Sequence, residues 1–211
     1  RDAIRKTSLV ANPGCYTTCS ILTLSPLVAE GAIQLDSIII DAKSGVSGAG
    51  RSVKLDNHFA EVNESIKAYG VGTHRHTPEI EEQLSYRAGV PVYLTFTPHL
   101  VPMQRGILAV CYATLTEKYS WEDLHTIYEE YYGKERFIRL LPQNTYPETR
   151  WVKGSNYCDI GWKIDERTNR VIAIGAIDNL VKGAAGQAIQ NMNLMFDLPE
   201  DMGIGQVPMF P

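Results

Sequence analysis

Hydrophobic positions along the chain change period repeatedly, and each change predicts an element. Ser8-Leu9-Val10-Ala11 is a short apolar run that predicts a strand stopped by Asn12-Pro13-Gly14. The chain is in this run by residue 8 without an initiator Met, the pattern of a chain cut from something longer. Ile21, Leu22, Leu24, Leu27 and Val28 then recur at helical spacing before Gly31, predicting a helix over 15–30 that Pro26 distorts and that places Cys15 in its first turn. The β-branched run 37–42 predicts a buried strand leading straight into the glycine-rich stretch Ser44 to Arg51.

Thr77 has the chemistry of an N-cap, followed by Pro78 and Glu79 in a first turn and by Ile80 and Leu84 on one face, with Gly89 as the stop. Alternation over 92–97 and 107–115 predicts two half-buried strands. Ser120-Trp121-Glu122-Asp123 opens a helix that carries Leu124, Ile127, Tyr128 and Tyr131. The apolar runs 157–164 and 171–177 flank Asp165-Glu166-Arg167-Thr168-Asn169 and predict a hairpin. A last helix, about 180–196, mixes small residues with Ile189, Met192 and Met195, so it must approach its neighbour closely. With no repeat, linker or low-complexity tract, the pattern describes one mixed α+β domain.

Composition narrows the function classes. Of 211 residues 44% are hydrophobic and 21% charged, which excludes disordered and fibrous chains. A formal net charge of -4 leaves no broad electrostatic footprint for nucleic acid or an anionic membrane, so a small-molecule role is the expectation. No apolar run approaches the ~20 residues of a membrane span, and the first residues lead into no secretory segment, so a cytoplasmic protein is expected. Cys15, Cys19, Cys111 and Cys158 include no C-x-x-C pair, and reduced thiols are the simpler reading.

Of these, Cys15 stands out. A thiol in the first turn of a helix faces unpaired backbone N–H groups and the positive end of the macrodipole, which favour thiolate and predict a depressed pKa. The same donors suit an oxyanion formed when that sulfur attacks a carbonyl. Cys19, Cys111 and Cys158 read as small buried hydrophobes. In His74-Arg75-His76-Thr77-Pro78-Glu79, a histidine beside the thiol could exchange its proton and Glu79 could orient that histidine. A metal site, for which neither H-E-x-x-H nor a Cys pair is present, and a purely structural pair are the competing readings. The loop Ser44 to Arg51 contains G-x-x-G-x-G, the reverse of the dinucleotide fingerprint and weak alone. Arg51, Arg105 and Lys182 could each hold a phosphate or carboxylate, although isolated basic residues are more often solvated surface charges.

Together, Asn12-Pro13-Gly14-Cys15-Tyr16, Ser44 through Arg51, His74 through Ile80, Phe96 through Met103 and Asp178-Asn179-Leu180-Val181-Lys182-Gly183-Ala184 occur in an order that resembles the N-acetyl-gamma-glutamyl-phosphate reductase family, of the semialdehyde dehydrogenase superfamily. The resemblance implies an α+β fold, with a mixed, largely antiparallel sheet and helices on one face, like the C-terminal domain of glyceraldehyde-3-phosphate dehydrogenase. It implies NADPH-dependent reduction of an acyl phosphate to an aldehyde through a cysteine thioester, in arginine biosynthesis, without a metal. Carried over, Cys15 is the nucleophile, His76 the acid/base, and His74 and Glu79 supporting groups of the same motif. Ser44, Gly45, Ser47, Gly48, Gly50 and Asn179 match positions near the nicotinamide and phosphates of NADP(H), and Arg51, His74 and Arg105 are candidates for the substrate. Residues 1–178 are the expected catalytic and dimerisation domain. Residues 179–211 are expected to supply a C-terminal helix and tail that pack on a nucleotide-binding domain absent from the chain, so the 211 residues alone should not turn over. A homodimer or homotetramer is implied. Thr17 and Cys19 depart from the proline and the glycine or alanine more usual there. A lysine-pathway paralogue acting on aminoadipyl phosphate, a cysteine acyltransferase or hydrolase, and a non-catalytic module remain alternatives.

Overall fold

The computed structural model describes residues 1–52 and 54–209. In chain order the helices and strands are α1 (Asp2–Arg5), α2 (Cys15–Ala29), β1 (Ile39–Ser44), α3 (Phe59–Val62), β2 (Lys67–Ala68), α4 (Thr77–Ala88), β3 (Thr95–Leu100), β4 (Ile107–Thr114), α5 (Trp121–Tyr132), β5 (Ile138–Leu140), β6 (Cys158–Asp165), β7 (Arg170–Ile177) and α6 (Gly186–Met195). The strands form one seven-stranded sheet in the order β2-β3-β1-β4-β7-β6-β5. Only β1–β3 and β5–β6 pair in parallel; the other neighbours are antiparallel, so the sheet is mixed and largely antiparallel, as expected.

One face of this sheet is covered. The alternation along β4 turns Ile107, Ala109, Cys111 and Ala113 inward, where they meet Leu24, Leu27 and Val28 of α2, Ile80 and Leu84 of α4, and Leu124 and Tyr128 of α5 in one core. Trp162 of β6 is its largest side chain, stacked on Tyr128 with ring centroids 4.4 Å apart. α2 lies centrally, against β4, β6 and β7 and between α4 and α5. Gly175 on β7 makes that approach possible, since a Cβ there would stand 2.0 Å from the Thr23 hydroxyl. On the opposite face Leu108, Val110, Tyr112, Ile172 and Ile174 stay partly exposed, and Ile39 is exposed.

Local chemistry explains most boundaries. Ser120 and Asp123 form the reciprocal capping box of α5, and Gly89 closes α4 in the left-handed region at φ 71°. Asn169, at φ 51°, makes the hairpin turn between β6 and β7. Three expectations need correction. Residues 8–11 form no strand: no neighbouring strand pairs with them, and Leu9 is 83% exposed. The cap of α4 is His76, because Thr77 has already entered the helix. The last helix is not uniform, since residues 181–185 form a π turn before α6 begins at Gly186. The short strands β2 and β5 gave no periodic signal, being two and three residues long.

Candidate active site

Asn12-Pro13-Gly14 runs extended into α2, with Gly14 at φ -66° and ψ 159°, and the Thr18 N–H donating to the Gly14 carbonyl at 2.8 Å starts the helix at Cys15. No side chain of α2 caps this end. The cap comes from α4. Glu79 accepts the Gly14 N–H on Oε1 at 3.2 Å and the Thr17 hydroxyl on Oε2 at 2.8 Å. Thr17 thereby helps to fix this turn. Glu79, expected to orient a histidine, makes its hydrogen bonds to the nucleophile's turn and reaches His76 through its charge.

His76 lies directly on that turn. A Cβ added to Gly14 would fall 2.4 Å from His76 Nε2, so only glycine admits the imidazole against the residue preceding Cys15. His76 is buried, and its Nδ1 has no hydrogen-bond partner among the described residues. His74 accepts the His76 backbone N–H on Nδ1 at 3.1 Å, and its ring meets Tyr16, Tyr69 and Phe96 edge-on. Burial pushes His76 below the usual histidine value and, with the charges of His76 and Arg75, pushes His74 down to about 4. In an NMR titration the His74 ring is therefore expected to protonate near pH 4 and not near 6.5. Because its folded pKa is depressed, the stability linked to neutral His74 is present above pH 6.5 and is lost as pH falls toward 4. An imidazole that titrates near 6.5 in the folded protein would contradict this placement.

Cys15, His74, His76, Tyr69 and Gly48 line one cavity of about 320 Å³. Burial raises the Cys15 thiol pKa, and the backbone N–H groups of Cys15 and Tyr16 together with Arg75 pull it only part of the way back. The direction is the reverse of the depressed pKa expected from helix position, because desolvation outweighs the backbone donors at the start of α2. Alkylation of Cys15 by iodoacetamide is expected to keep accelerating beyond pH 9.0, the ordinary thiol value, and a plateau reached below that pH would contradict the burial. Cys19, Cys111 and Cys158 are fully buried, so labelling reports Cys15.

The glycine-rich loop borders this cavity through Gly48 and Ala49. Its amides are engaged internally: Gly45, Val46 and Ser47 donate to the carbonyls of Gly106, Met103 and Gln104, while Gly48 and Gly50 donate to Gly45 and Ser47. Ser44 Oγ donates to the Gly45 carbonyl and leaves no room for a Cβ on Gly48. Ser47 Oγ donates to the Gln104 carbonyl, Asn179 Nδ2 donates to Ser47 Oγ at 3.0 Å, and Asn179 Oδ1 accepts the Gly106 N–H at 2.7 Å. Of these residues only Gly48 lines the Cys15 cavity; Ser44, Gly45, Ser47, Gly50 and Asn179 brace the loop behind it. They do not form the amide cradle for dinucleotide phosphates that a glycine-rich loop suggests.

The basic candidates separate. Arg51 is exposed and borders a different depression, with His58 and Phe59. Arg105 pairs with fully buried Asp178, Nη2 to Oδ2 at 3.0 Å, and does not line the cavity. Lys182 is buried elsewhere, donating to Gln190 Oε1 at 2.8 Å. The residues that do line it, Arg75, Lys54, Lys67 and Tyr69, were missed, although Arg75 sits between the two histidines of the motif. Gly183 was missed as well. A Cβ there would stand 2.7 Å from Cys15 Cβ, so the π turn forms the wall behind the nucleophile, which is the close approach expected of the small residues. Asn12 ties this segment to the N-terminal side, donating to the Ala184 carbonyl and accepting from Asn191. Among the described residues no group of three or more His, Cys, Asp or Glu is arranged to hold a metal ion.

Residues 15–179 match the model of the semialdehyde dehydrogenase dimerisation domain. The chain belongs to this family. Among curated relatives, the chain is similar to proteins named N-acetyl-gamma-glutamyl-phosphate reductase from Lachnospira eligens, 64% identical over the whole chain and 61% of the relative, and from Campylobacter jejuni subsp. doylei, 65% identical over 97% of the chain and 60% of the relative. The chain thus spans about three-fifths of the length of the curated relatives it matches. Among solved structures it resembles aspartate semialdehyde dehydrogenase II from Vibrio cholerae, with a TM-score of 0.72 and 18% identity over 93% of this chain and 65% of that one. At that identity the likeness shows a shared semialdehyde dehydrogenase fold, which accounts for the sheet and for the helix that presents Cys15.

Proposed function

We propose that the protein carries out the NADPH-dependent reduction of N-acetyl-gamma-glutamyl phosphate to the semialdehyde, in arginine biosynthesis and in the cytoplasm. The observation that carries this reading is the meeting of Cys15, at the open first turn of α2, with His76 and His74 in one cavity. The names of the relatives support the choice of substrate.

Because burial depresses its pKa, His76 is a neutral base near pH 7 and takes the Cys15 thiol proton. The sulfur attacks the acyl carbon, the N–H groups at the start of α2 receive the oxyanion, and the bond from carbon to the phosphate oxygen breaks. His76 returns its proton to the departing phosphate, leaving a thioester on Cys15. Gly48 and Ala49, which line the cavity, and Asn179, which braces Ser47 behind them, are the residues that would hold the nicotinamide of NADPH, and the cofactor when bound would supply the hydride. Collapse of the reduced adduct breaks the carbon–sulfur bond, frees the aldehyde, and restores the thiolate, which takes up one proton from solution. Glu79 acts through the Gly14 turn, as a positioning residue.

The partly exposed apolar face bearing Leu108, Val110, Tyr112, Ile172 and Ile174 suits the contact of a homodimer or homotetramer. Leu180, Met192, Phe196 and Leu198 are exposed on the C-terminal segment and suit packing against a nucleotide-binding domain. The test is the reverse reaction of the full-length protein, with N-acetylglutamate semialdehyde, NADP+ and inorganic phosphate. Nicotinamide reduction that requires phosphate is expected. Consumption of the acyl phosphate with no change in nicotinamide absorbance would replace this reading by hydrolysis or acyl transfer.

A further inference from the structure

The charges around the Cys15 cavity do not cancel. Lys54, Lys67 and Arg75 line it from three separate segments, and Asp56 is the sole carboxylate among its lining residues. Asp56 pairs with Lys67 at 2.9 Å. Neither the Arg75 guanidinium nor the Lys54 ammonium makes a hydrogen bond or ion pair among the described residues, and both side chains are exposed where solute arrives. The two histidines of the same wall are held neutral near pH 7, so they do not share the cationic role. Arg75 is the cation whose field reaches the sulfur, Tyr69 and both imidazoles.

We propose that Arg75, with Lys54 as a second cation, forms the anion subsite of the cavity and receives the phosphoryl group of an acyl phosphate beside Cys15. The assignment rests on the acyl-phosphate reading above and moves the substrate's anion away from Arg51 and Arg105. Chemistry favours Arg75 in this role, because a planar guanidinium offers paired donors that match phosphate oxygens and is charged at every pH at which the thiol reacts. Arg51 does not line this cavity but the adjoining depression, which shares Lys54 and Asn57 with it, and Arg105 is neutralised by Asp178. A cation at this place also opposes the build-up of charge as the carbon–oxygen bond to phosphate breaks.

The test compares the rates at which iodoacetate and iodoacetamide alkylate Cys15. Both reagents attack the same thiolate, so the ratio of rates is independent of the thiol pKa and reports the potential at the sulfur. The ratio is expected to exceed that of a small free thiol and to shrink with added salt. In Arg75→Ala it is expected to fall about threefold to tenfold, and Arg75→Lys is expected to restore most of it. Inorganic phosphate is expected to slow iodoacetamide labelling of the native protein and to lose that effect in Arg75→Ala. Arg75 is exposed, and unchanged circular dichroism would establish that the variants fold. A ratio unmoved by Arg75→Ala, or phosphate protection that survives it, overturns the subsite. Labelling needs neither nicotinamide nor turnover, so a failed reductase assay leaves this result standing, and a working reductase with an unmoved ratio removes the subsite alone.

Discussion

Cys15→Ser is expected to reduce kcat/KM of the full-length protein by about 10⁴-fold or more, measured as phosphate-dependent nicotinamide reduction. A serine hydroxyl at this position lacks an accessible ionised form. Burial, which already raises the thiol pKa, opposes an alkoxide still more strongly. The fold should survive, because the substitution keeps the Cβ that packs against Gly183 and leaves the bonds from Gly14 and Thr17 to Glu79 in place. Circular dichroism and a thermal melt close to those of the native protein would show that the loss is chemical. Activity within tenfold of native would mean that the sulfur is not the nucleophile and would favour the non-catalytic reading.

Asp178→Ala is expected to destabilise the fold by about 3–5 kcal/mol, read as a lowered urea midpoint at unchanged slope. Asp178 is fully buried and has four partners. Its Oδ1 accepts from the Leu180 and Val181 amides at 2.8 and 3.2 Å, its Oδ2 accepts from the Gly154 amide at 2.7 Å, and the Arg105 guanidinium approaches both oxygens. Alanine would strand a part-buried guanidinium and leave the Leu180 and Gly154 amides without acceptors, while the Val181 amide keeps the Asp178 backbone carbonyl at 3.3 Å. The start of the π turn is held by two of those amides, so the wall behind Cys15 should loosen along with the fold. Asp178→Asn, which keeps one acceptor oxygen but brings an amide group up against donors, is expected to fall between the two. A loss below about 1 kcal/mol for alanine would mean that water replaces the carboxylate at little cost.

Elements whose cause lies within a few residues were readable from the chain. The capping box at Ser120, the stop at Gly89, the turn at Asn169 and the start of α2 at Cys15 follow from local chemistry, and the structure contains each. The apolar run 8–11 shows the limit of such reading. β-propensity without a neighbouring strand leaves backbone donors and acceptors to solvent, and no strand forms. Pairing across long loops was likewise hidden: the parallel contact of β1 with β3 pairs Ile39 with Thr95 and Ser44 with Leu100, and nothing in either segment names the other.

The candidate site divides along the same line. Residue type and chain position were sufficient to select Cys15, His74 and His76, since a thiol at a helix start and paired histidines at another are visible as short patterns. What Glu79 holds, which way the Cys15 pKa moves, and which arginine faces the cavity were settled only when α2, α4 and the loops packed together. Helix position alone predicted a favoured thiolate, and the packed surroundings reversed it. Arg105 looked available until Asp178, more than seventy residues away, came within 3.0 Å. Short-range order depends on bonds between neighbours in the chain and can be read along it. Charge, solvation and access depend on distances between remote segments, which exist only after the core has formed.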